Sequence, residues 1–369
     1  MSERVCIVYH DMVTVYGHGV SCCTEALFEK KTRFTQAEDF PGAADCPARA
    51  AFFPRELFPD RDNIAERSVM YLLKNVPESF PVNGQPFFFA LTQGEICHLE
   101  NAQKAWTAEL LVRKIAGEWG ISERSRIYSA SCASGNVALA RAAAEIRAGK
   151  ADQIWVAGCE TVSEFTFSGF ASVHAITPDV CRPYDASHNG LLLGEAAGIM
   201  LLTSEKHAIE KNWQILAAID GFGITTDSYH AAAPDPEGLR MAGAINNALA
   251  GVIPCKLTGV IGHGTGTELN DNMEIAALNR VFPEGIPLAS IKGGTGHILA
   301  ASGIVQTSCA VACLQRKQLF PQTALQQAQR GAEKFVSDRA HPLQGDAMLV
   351  LNAGFGGINA VLRVGRYEK

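Results

Sequence analysis

The chain alternates short apolar runs with segments of helical periodicity, and this alternation most restricts its fold. The runs of strand length occupy residues 5–15, 86–91, 153–158, 215–225, 257–261 and 287–291. Strands that alternate with helices predict an α/β protein with mainly parallel sheets. Both halves repeat the order strand–helix–strand–helix and finish with paired strands, which indicates an internal duplication. No low-complexity linker separates the halves, so we expect them to pack as one body.

Four further segments give predictions of secondary structure. Residues 102–119 and 298–316 have the apolar spacing of helices. Residues 164–173 bear several aromatic side chains without a sustained period, and we expect irregular chain there. Residues 190–203 predict two close-packed strands around a glycine turn.

Composition argues against several classes of protein. The chain has 369 residues, of which 47% are hydrophobic, and a formal net charge of −6. It has no basic run, so no nucleic-acid partner is expected, and no apolar stretch is long enough for a membrane span. The N-terminal sequence lacks the order of a signal peptide. The eleven cysteines are scattered and form no CxxC pair, which predicts reduced thiols in the cytoplasm and no metal site.

Residues 127–149 contain the most distinctive local pattern. A short β-prone run is followed by small residues around Cys132 and then by a helical pattern. Cys132 is therefore expected at a strand-to-helix turn, where the helix N-terminus favours a nucleophilic thiolate. The alternative is a small buried cysteine that packs a helix start. The stretch alone does not decide between the two.

Three glycine-flanked motifs follow later strands. They are GHGTGT (262–267), KGGTGH (292–297) and NAGFGGIN (352–359). The first exposes His263 at a strand end, with Thr265 and Thr267 able to donate hydrogen bonds to a ligand. The second delivers His297, and the third carries one exposed aromatic residue. Sites in α/β sheets are built at such strand ends, so these motifs and Cys132 predict one site.

In order and spacing, six motifs resemble those of the β-ketoacyl-acyl-carrier-protein synthases, the decarboxylating condensing enzymes of the thiolase superfamily. They are SASCASG (129–135), CRPYDASHNGLLLGEAAG (181–198), DSYHAAAPDP (227–236), GHGTGTELND (262–271), KGGTGHILAASG (292–303) and NAGFGGIN (352–359). The resemblance implies a thiolase-like α/β fold, with duplicated βαβαβ halves in five layers, α-β-α-β-α. The halves would be residues 1–208, with a shortened cap at about 40–85, and residues 209–369.

The resemblance also implies roles for the site residues. Cys132 would carry the acyl chain as a thioester, and His263 and His297 would serve decarboxylation and condensation. Lys292 would orient and polarise His297, and Glu274 matches the family's acidic residue in the helix after the first histidine motif.

Phe355 would be the gate beside the cysteine, and the backbone N–H groups of Cys132 and Phe355 would form an oxyanion hole. Thioester exchange needs a thiolate that is also a fair leaving group. Two imidazole N–H donors stabilise the enolate that forms when a malonyl thioester loses carbon dioxide. No metal or organic cofactor is implied, because the substrates travel on the phosphopantetheine of an acyl carrier protein.

Two departures from the family pattern concern that phosphopantetheine arm. His188 stands where the family usually has arginine, and Ala232 where it usually has threonine. Both are expected to alter contacts with the arm. The shortened cap removes a segment that often shapes the acyl pocket, so it leaves the acyl chain length open.

Other members of the superfamily fit less well. A biosynthetic thiolase needs a second cysteine in the last glycine motif, and residues 352–359 contain none. Starter-condensing relatives pair histidine with asparagine, whereas both positions here are histidine, which favours an elongating synthase of fatty-acid or polyene/polyketide-type biosynthesis. The alternative is a chain-length-factor-like partner subunit of a heterodimeric ketosynthase, although such subunits usually lack the nucleophile.

The resemblance further implies a dimer, either of two identical chains or with a related synthase subunit. The strand before the nucleophile, at about residues 126–131, would pair across the two-fold axis, because an edge strand exposes unpaired backbone groups. The preceding helix carries apolar side chains expected to pack across that joint: Leu110, Leu111, Ile115 and Trp119.

Overall fold

A computed structural model describes residues 3–37, 48–96, 107–250 and 256–367. Its strands are β1 (Val5–Thr14), β2 (Gly17–His18), β3 (Thr35–Gln36), β4 (Arg49–Ala51), β5 (Phe87–Ala90), β6 (Arg126–Tyr128), β7 (Gln153–Glu160), β8 (Leu193–Gly194), β9 (Ala196–Ser204), β10 (Ala217–Thr226), β11 (Leu257–Ile261), β12 (Leu288–Ala289), β13 (Gln318–Leu319), β14 (His341–Pro342), β15 (Ala347–Gly354) and β16 (Ile358–Gly365). Its helices are α1 (Val20–Phe28), α2 (Ile64–Lys74), α3 (Ala108–Trp119), α4 (Ser134–Arg147), α5 (Glu164–Ser172), α6 (Glu205–Glu210), α7 (Leu239–Leu249), α8 (Glu268–Val281), α9 (Lys292–Thr295) and α10 (Ser302–Arg316).

The main sheet contains the same topology twice. Its strand order is β12-β11-β15-β16-β10-β1-β9-β7-β5-β6. The first half consists of β1, β5, β6, β7 and β9, and the second of β10, β11, β12, β15 and β16. In this order, the first strand of each half pairs antiparallel with the fifth, and the fifth pairs antiparallel with the fourth. The third and fourth strands each pair parallel with the second. The halves join through an antiparallel contact between β1 and β10. The boundary expected at residue 208 falls within α6, between the last strand of one repeat and the first of the next.

Helices and half-sheets form five layers. Helices α4 and α10 lie in the middle and share one core with strands from both halves. The outer face of the first half-sheet is covered by α2 and α3, and that of the second by α7 and α8. The expected α-β-α-β-α arrangement is confirmed.

The two central helices approach each other closely at glycines. A Cβ on Gly135 would lie 2.8 Å from the backbone of Gly303, and a Cβ on Gly303 would lie 2.3 Å from Asn136 N. No side chain fits there. The Asn136 side chain then donates hydrogen bonds to the carbonyls of Val350 and Ala360, which ties α4 to the second half-sheet.

Two local predictions are wrong. Residues 164–173, expected to be irregular, form α5, because Ser163 caps the helix by accepting a hydrogen bond from Thr166 N. Residues 190–203 supply only one long strand, β9. The short strand before it, β8, pairs with β4 instead of β9, since its backbone also bonds to the loop of His297.

The apolar surface that β6 and α3 offer for a dimer contact is smaller than the sequence predicted. Strand β6 does form an edge of the sheet, and Ile127 on it is 37% exposed. On α3, however, Leu111 and Ile115 are fully buried in the subunit's own core, and Leu110 is 45% exposed. The predicted helix start at 102–106 and the first residues of the cap, 40–47, lie outside the described residues. None of the helices in the described ranges is long and apolar enough to cross a membrane.

Candidate active site

Cys132 lies in the turn between β6 and α4, as predicted. Ser131 before it has φ of +50°, which is uncommon for a residue other than glycine. The turn is held by Ser134, whose Oγ accepts from Ala130 N at 2.8 Å and donates to Ser131 O at 2.6 Å. Ser131 Oγ donates to Phe355 O at 3.1 Å. The cysteine turn is therefore fixed against the last glycine motif.

Burial dominates the acidity of Cys132. Its side chain is almost wholly inside the protein, and this raises the pKa of the thiol to about 12, while the charge of Lys292 acts in the opposite direction. Burial therefore favours the thiol over the expected thiolate in this structure. Cys132 nevertheless lines the main cavity, so it is more than a packing residue.

That cavity has a volume of about 670 Å³ and brings together the predicted nucleophile and both histidines. The rings of His263 and His297 lie 5.4 Å apart between centroids, with their planes at 83°. Thr265, Thr267 and Phe355 also line it. The sequence prediction that these distant motifs form one site agrees with this geometry.

His263 lies two residues after the last residue of β11, and its protonation state can be assigned. Lys292 Nζ lies 3.2 Å from His263 Nδ1. Burial lowers the pKa of Lys292 to about 8, with Glu274 acting in the opposite direction, so the amine is protonated at neutral pH. An ammonium can only donate, so Nδ1 accepts and the ring proton resides on Nε2. Burial and the Lys292 charge lower the pKa of His263 well below its ordinary value.

His297 reaches the same state by a different contact. Leu299 N donates to His297 Nδ1 at 3.1 Å, which leaves the proton on Nε2. Burial, followed by the charge of Lys292, lowers the pKa of His297 well below the ordinary value. The backbone of His297 is held by Leu192 O and Gly194 N. Both rings are therefore neutral and each has Nε2–H as its remaining donor.

Lys292 does not have the partner expected of it. It was predicted to orient His297, yet its ammonium bonds to Nδ1 and the carbonyl oxygen of His263. Parallel pairing of β11 with β12 places Ile261 opposite Ala289, so the chain just after β12 lies beside His263. Lys292 acts on His297 only through its charge.

Glu274 holds the backbone of the first histidine motif. Its carboxylate accepts from His263 N at 2.6 Å and Gly264 N at 2.8 Å, and from Tyr184 Oη at 2.9 Å. Burial raises its pKa to about 7, while the hydrogen bond from Gly264 N lowers it. Lys292 and Glu274 are fully buried and are not among the described residues that line the cavity. Both are positioning residues and not groups that would touch a substrate.

Phe355 and the two threonines stand on the cavity wall. Phe355 is 42% exposed, and its ring packs on Phe170 at 5.5 Å. Thr265 Oγ1 and Thr267 Oγ1 are 2.8 Å apart and share a hydrogen bond. A Cβ on Gly354 would lie 3.3 Å from Cys132 N, which shows how closely the Phe355 turn approaches the nucleophile.

Phe170 is a site residue that sequence reasoning missed. It lies on α5, in the segment expected to be irregular, and its ring centroid is 6.1 Å from that of His297. The available signal was Ser163 followed by Glu164, which is a helix start with an acidic first turn. Phe170 therefore connects the second histidine to the gate residue.

Both departures from the family pattern also line the cavity. His188 Nδ1 lies 3.3 Å from an oxygen of Asp271. Burial lowers the pKa of His188, but the hydrogen bond and charge of Asp271 raise it by more, so the net shift is upward. Ala232 offers only a methyl group. In the ranges that the structure describes, no cluster of three or more His, Cys, Asp or Glu side chains could hold a metal ion.

Comparisons with known proteins identify the family of the chain. The sequence model described as beta-ketoacyl synthase, N-terminal domain, matches residues 104–208, and the one for the C-terminal domain matches residues 216–326. The 3-oxoacyl-[acyl-carrier-protein] synthase 2 of Mycobacterium bovis is 35% identical over 251 residues, which cover 64% of this chain and 60% of that protein. The match thus spans less than two thirds of that curated relative.

Solved structures establish the fold. The ishigamide ketosynthase/chain length factor superposes with a TM-score of 0.84 at 22% identity and covers 100% of both chains. A ketosynthase in complex with its chain length factor from Xenorhabdus doucetiae gives a TM-score of 0.80 at 24% identity, covering 99% of this chain and 98% of that one. The two domain models together match more than half of the sequence, and the chain belongs to the β-ketoacyl synthase family.

Proposed function

We propose that this chain is a β-ketoacyl-acyl-carrier-protein synthase that joins an acyl group on Cys132 to malonyl-acyl carrier protein with loss of carbon dioxide. One observation supports this most. Two buried neutral imidazoles, His263 and His297, each have Nδ1 engaged by a donor and retain Nε2–H beside the cysteine. Two buried N–H donors that line one cavity are suited to stabilising an oxyanion.

The first half-reaction is transfer of the acyl group. The acyl carbon leaves the carrier sulfur for Sγ of Cys132, and the cysteine proton ends on the departing carrier thiol. Because burial raises the pKa of Cys132 to about 12 while Lys292 opposes the shift, the thiolate exists only transiently, during the transfer. The N–H groups of Cys132 and Phe355 would hold the developing oxyanion.

The second half-reaction is decarboxylation followed by condensation. The malonyl thioester oxygen accepts hydrogen bonds from Nε2–H of His263 and His297, so carbon dioxide leaves and the electrons remain as an enolate. The enolate carbon then attacks the acyl carbonyl on Cys132, and the cysteine thiolate departs. This chemistry needs no cofactor beyond the phosphopantetheine that carries the substrates.

Separate assays of the two half-reactions test the proposal. Intact-protein mass after incubation with an acyl carrier thioester should show one adduct, which Cys132→Ala abolishes and Cys309→Ala does not. His263→Ala and His297→Ala should suppress carbon dioxide release about 10²–10³-fold and affect loading much less. Equal loss of both steps in both variants would refute this division of roles. Absence of any adduct would instead support the chain-length-factor-like alternative.

The cellular setting is part of the same proposal. Each cysteine in the described residues is a free thiol, as expected of a cytoplasmic protein. The pathway would be specialised, of polyene or polyketide type, since the cap that shapes an acyl pocket is shortened.

The assembly would be a dimer joined through β6. That strand is at the sheet edge, with exposed Ile127 on it and exposed Leu110 on α3. Pairing with a second edge strand would satisfy its backbone groups. Sedimentation at micromolar concentration should give twice the chain mass for a homodimer. A monomer under these conditions would indicate that a related synthase subunit is the partner.

A further inference from the structure

A chain of amide hydrogen bonds lies behind the first histidine and involves none of the residues assigned above. Gln306 Nε2, on α10, donates to Gly262 O at 2.7 Å. Asn352 Nδ2, on β15, donates to Gln306 Oε1 at 3.0 Å. Both amides are fully buried. The chain thus links the helix after His297, the strand end before His263 and the strand before the Phe355 turn.

The direction of this chain follows from its first member. Gly262 O can only accept, so Gln306 must present its NH₂ group there and turn Oε1 towards Asn352. Asn352 must then present its own NH₂ group, and its Oδ1 is left as an acceptor. Asn352 Oδ1 is buried and has no donor of suitable geometry among the described residues in this conformation.

The residue that this chain positions is His263, because Asn352 holds Gln306 and Gln306 bonds to the carbonyl of Gly262, the residue before the histidine. The Asn352 side chain raises the pKa of that imidazole, against the lowering by burial and by the charges of Lys292 and His297. The other titratable groups around His263 are Lys292, His297, Cys132 and Glu274, the last through the backbone N–H of His263.

We propose that Gln306 and Asn352 are positioning residues that set the orientation of His263 for decarboxylation. Lys292 fixes the Nδ1 side of the ring. Gln306 fixes the carbonyl of the preceding residue, and Asn352 holds the Gln306 amide in the orientation that this bond requires. A catalytic donor displaced by about 1 Å can lose about 10²-fold in rate. The inference rests on the proposed function, since it assigns His263 to the decarboxylation step.

The first experiment separates the two half-reactions in Asn352→Ala and Gln306→Met. Carbon dioxide release from malonyl-acyl carrier protein should fall about 10- to 100-fold, while acyl loading of Cys132 stays within about threefold. Asn279→Ala is the matched control. Its amide also makes two hydrogen bonds, to Ile275 O and Gly331 O on the outer layer, and its loss should leave both steps unchanged. Equal losses in loading and decarboxylation, or no loss, would overturn the proposal.

The second experiment does not depend on activity. In protein labelled with ¹⁵N-histidine, Asn352→Asp should move the titration of His263 upward by about 1–3 pH units, because a carboxylate beside the ring favours the imidazolium. Asn279→Asp should not move it. The His263 signals are assigned from His263→Ala. No shift in Asn352→Asp would refute the link between these amides and His263. If the unmodified protein releases no carbon dioxide but the titration moves, the proposed function fails and the link to His263 stands.

Discussion

Removal of Lys292 tests the arrangement in which the lysine serves His263 and not His297. In Lys292→Met the ammonium that bonds to His263 Nδ1 and O is lost. Nδ1 is then free to carry the proton, which removes Nε2–H as a donor in that tautomer. A hydrogen bond to a charged group contributes about 1.5–3 kcal/mol, and loss of an oxyanion donor costs about 10²–10³ in rate. We therefore expect decarboxylation to fall by about 10²–10³.

The decisive measurement is a double-mutant cycle on carbon dioxide release. It is made in the Cys132→Ala background, because Lys292 also lowers the pKa of that cysteine and would otherwise change loading. If the lysine acts through His263, Lys292→Met should lower the rate of carbon dioxide release by less than about threefold when His263 is already alanine. When His297 is alanine, Lys292→Met should still lower the rate by nearly its full factor. The reason is that the effects of mutations are coupled for residues in direct contact and nearly additive for residues that share no contact.

The opposite pattern would refute the assignment. Additivity of Lys292→Met with His263→Ala, together with coupling to His297→Ala, would mean that the lysine serves the second histidine. Lys206→Met is the control for removal of a lysine charge, since that side chain is 77% exposed and pairs with Glu210 on α6. It should leave the rate unchanged.

Two further predictions concern stability. Gly303→Ala should lower the free energy of unfolding by about 3 kcal/mol or more, because its Cβ would lie 2.3 Å from Asn136 N. Denaturant unfolding measures this change. The control is Gly117→Ala, which has open space around the added Cβ and should not lower the free energy of unfolding. Burial raises the pKa of Glu160 from 4.5 to about 7, against hydrogen bonds from Thr92. A carboxyl group with a higher pKa in the folded state loses stability as the pH rises between those values. The chain with Glu160 should thus lose about 2–3 kcal/mol more than Glu160→Gln between pH 5 and pH 8, and equal losses in thermal unfolding would contradict the assigned shift.

Much of the fold was readable from local patterns. The strand predicted at residues 257–261 has those bounds in the structure, and the paired strands expected at the end of the second half are β15 and β16. These segments are buried on both faces, so apolar composition alone defines them. The segment that forms α5 was expected to be irregular because its aromatic residues follow no sustained period, whereas the decisive signal was the cap at Ser163.

Some of the site residues could be predicted from the sequence, and the roles of others are visible only in the structure. Cys132, His263 and His297 could be named because each follows a strand, the cysteine among small residues and the histidines in glycine-rich motifs. The partner of Lys292 could not, since five residues of separation from His297 say nothing about which ring its long side chain reaches. That choice follows from the pairing of β11 with β12. Gln306 and Asn352 were also hidden, because single amides in apolar segments acquire meaning only when three distant elements meet.

The duplicated topology explains why the nucleophile and one histidine face each other. In each half the third strand leads into a central-layer helix: β6 into α4, and β12 into α10. Cys132 lies in the first of these connections and His297 in the second. Both helices begin with Ser–Gly, and their glycines, Gly135 and Gly303, pack against each other. The contact between the helix starts therefore fixes the separation of the two connections, and each repeat contributes a different chemical group to one cavity.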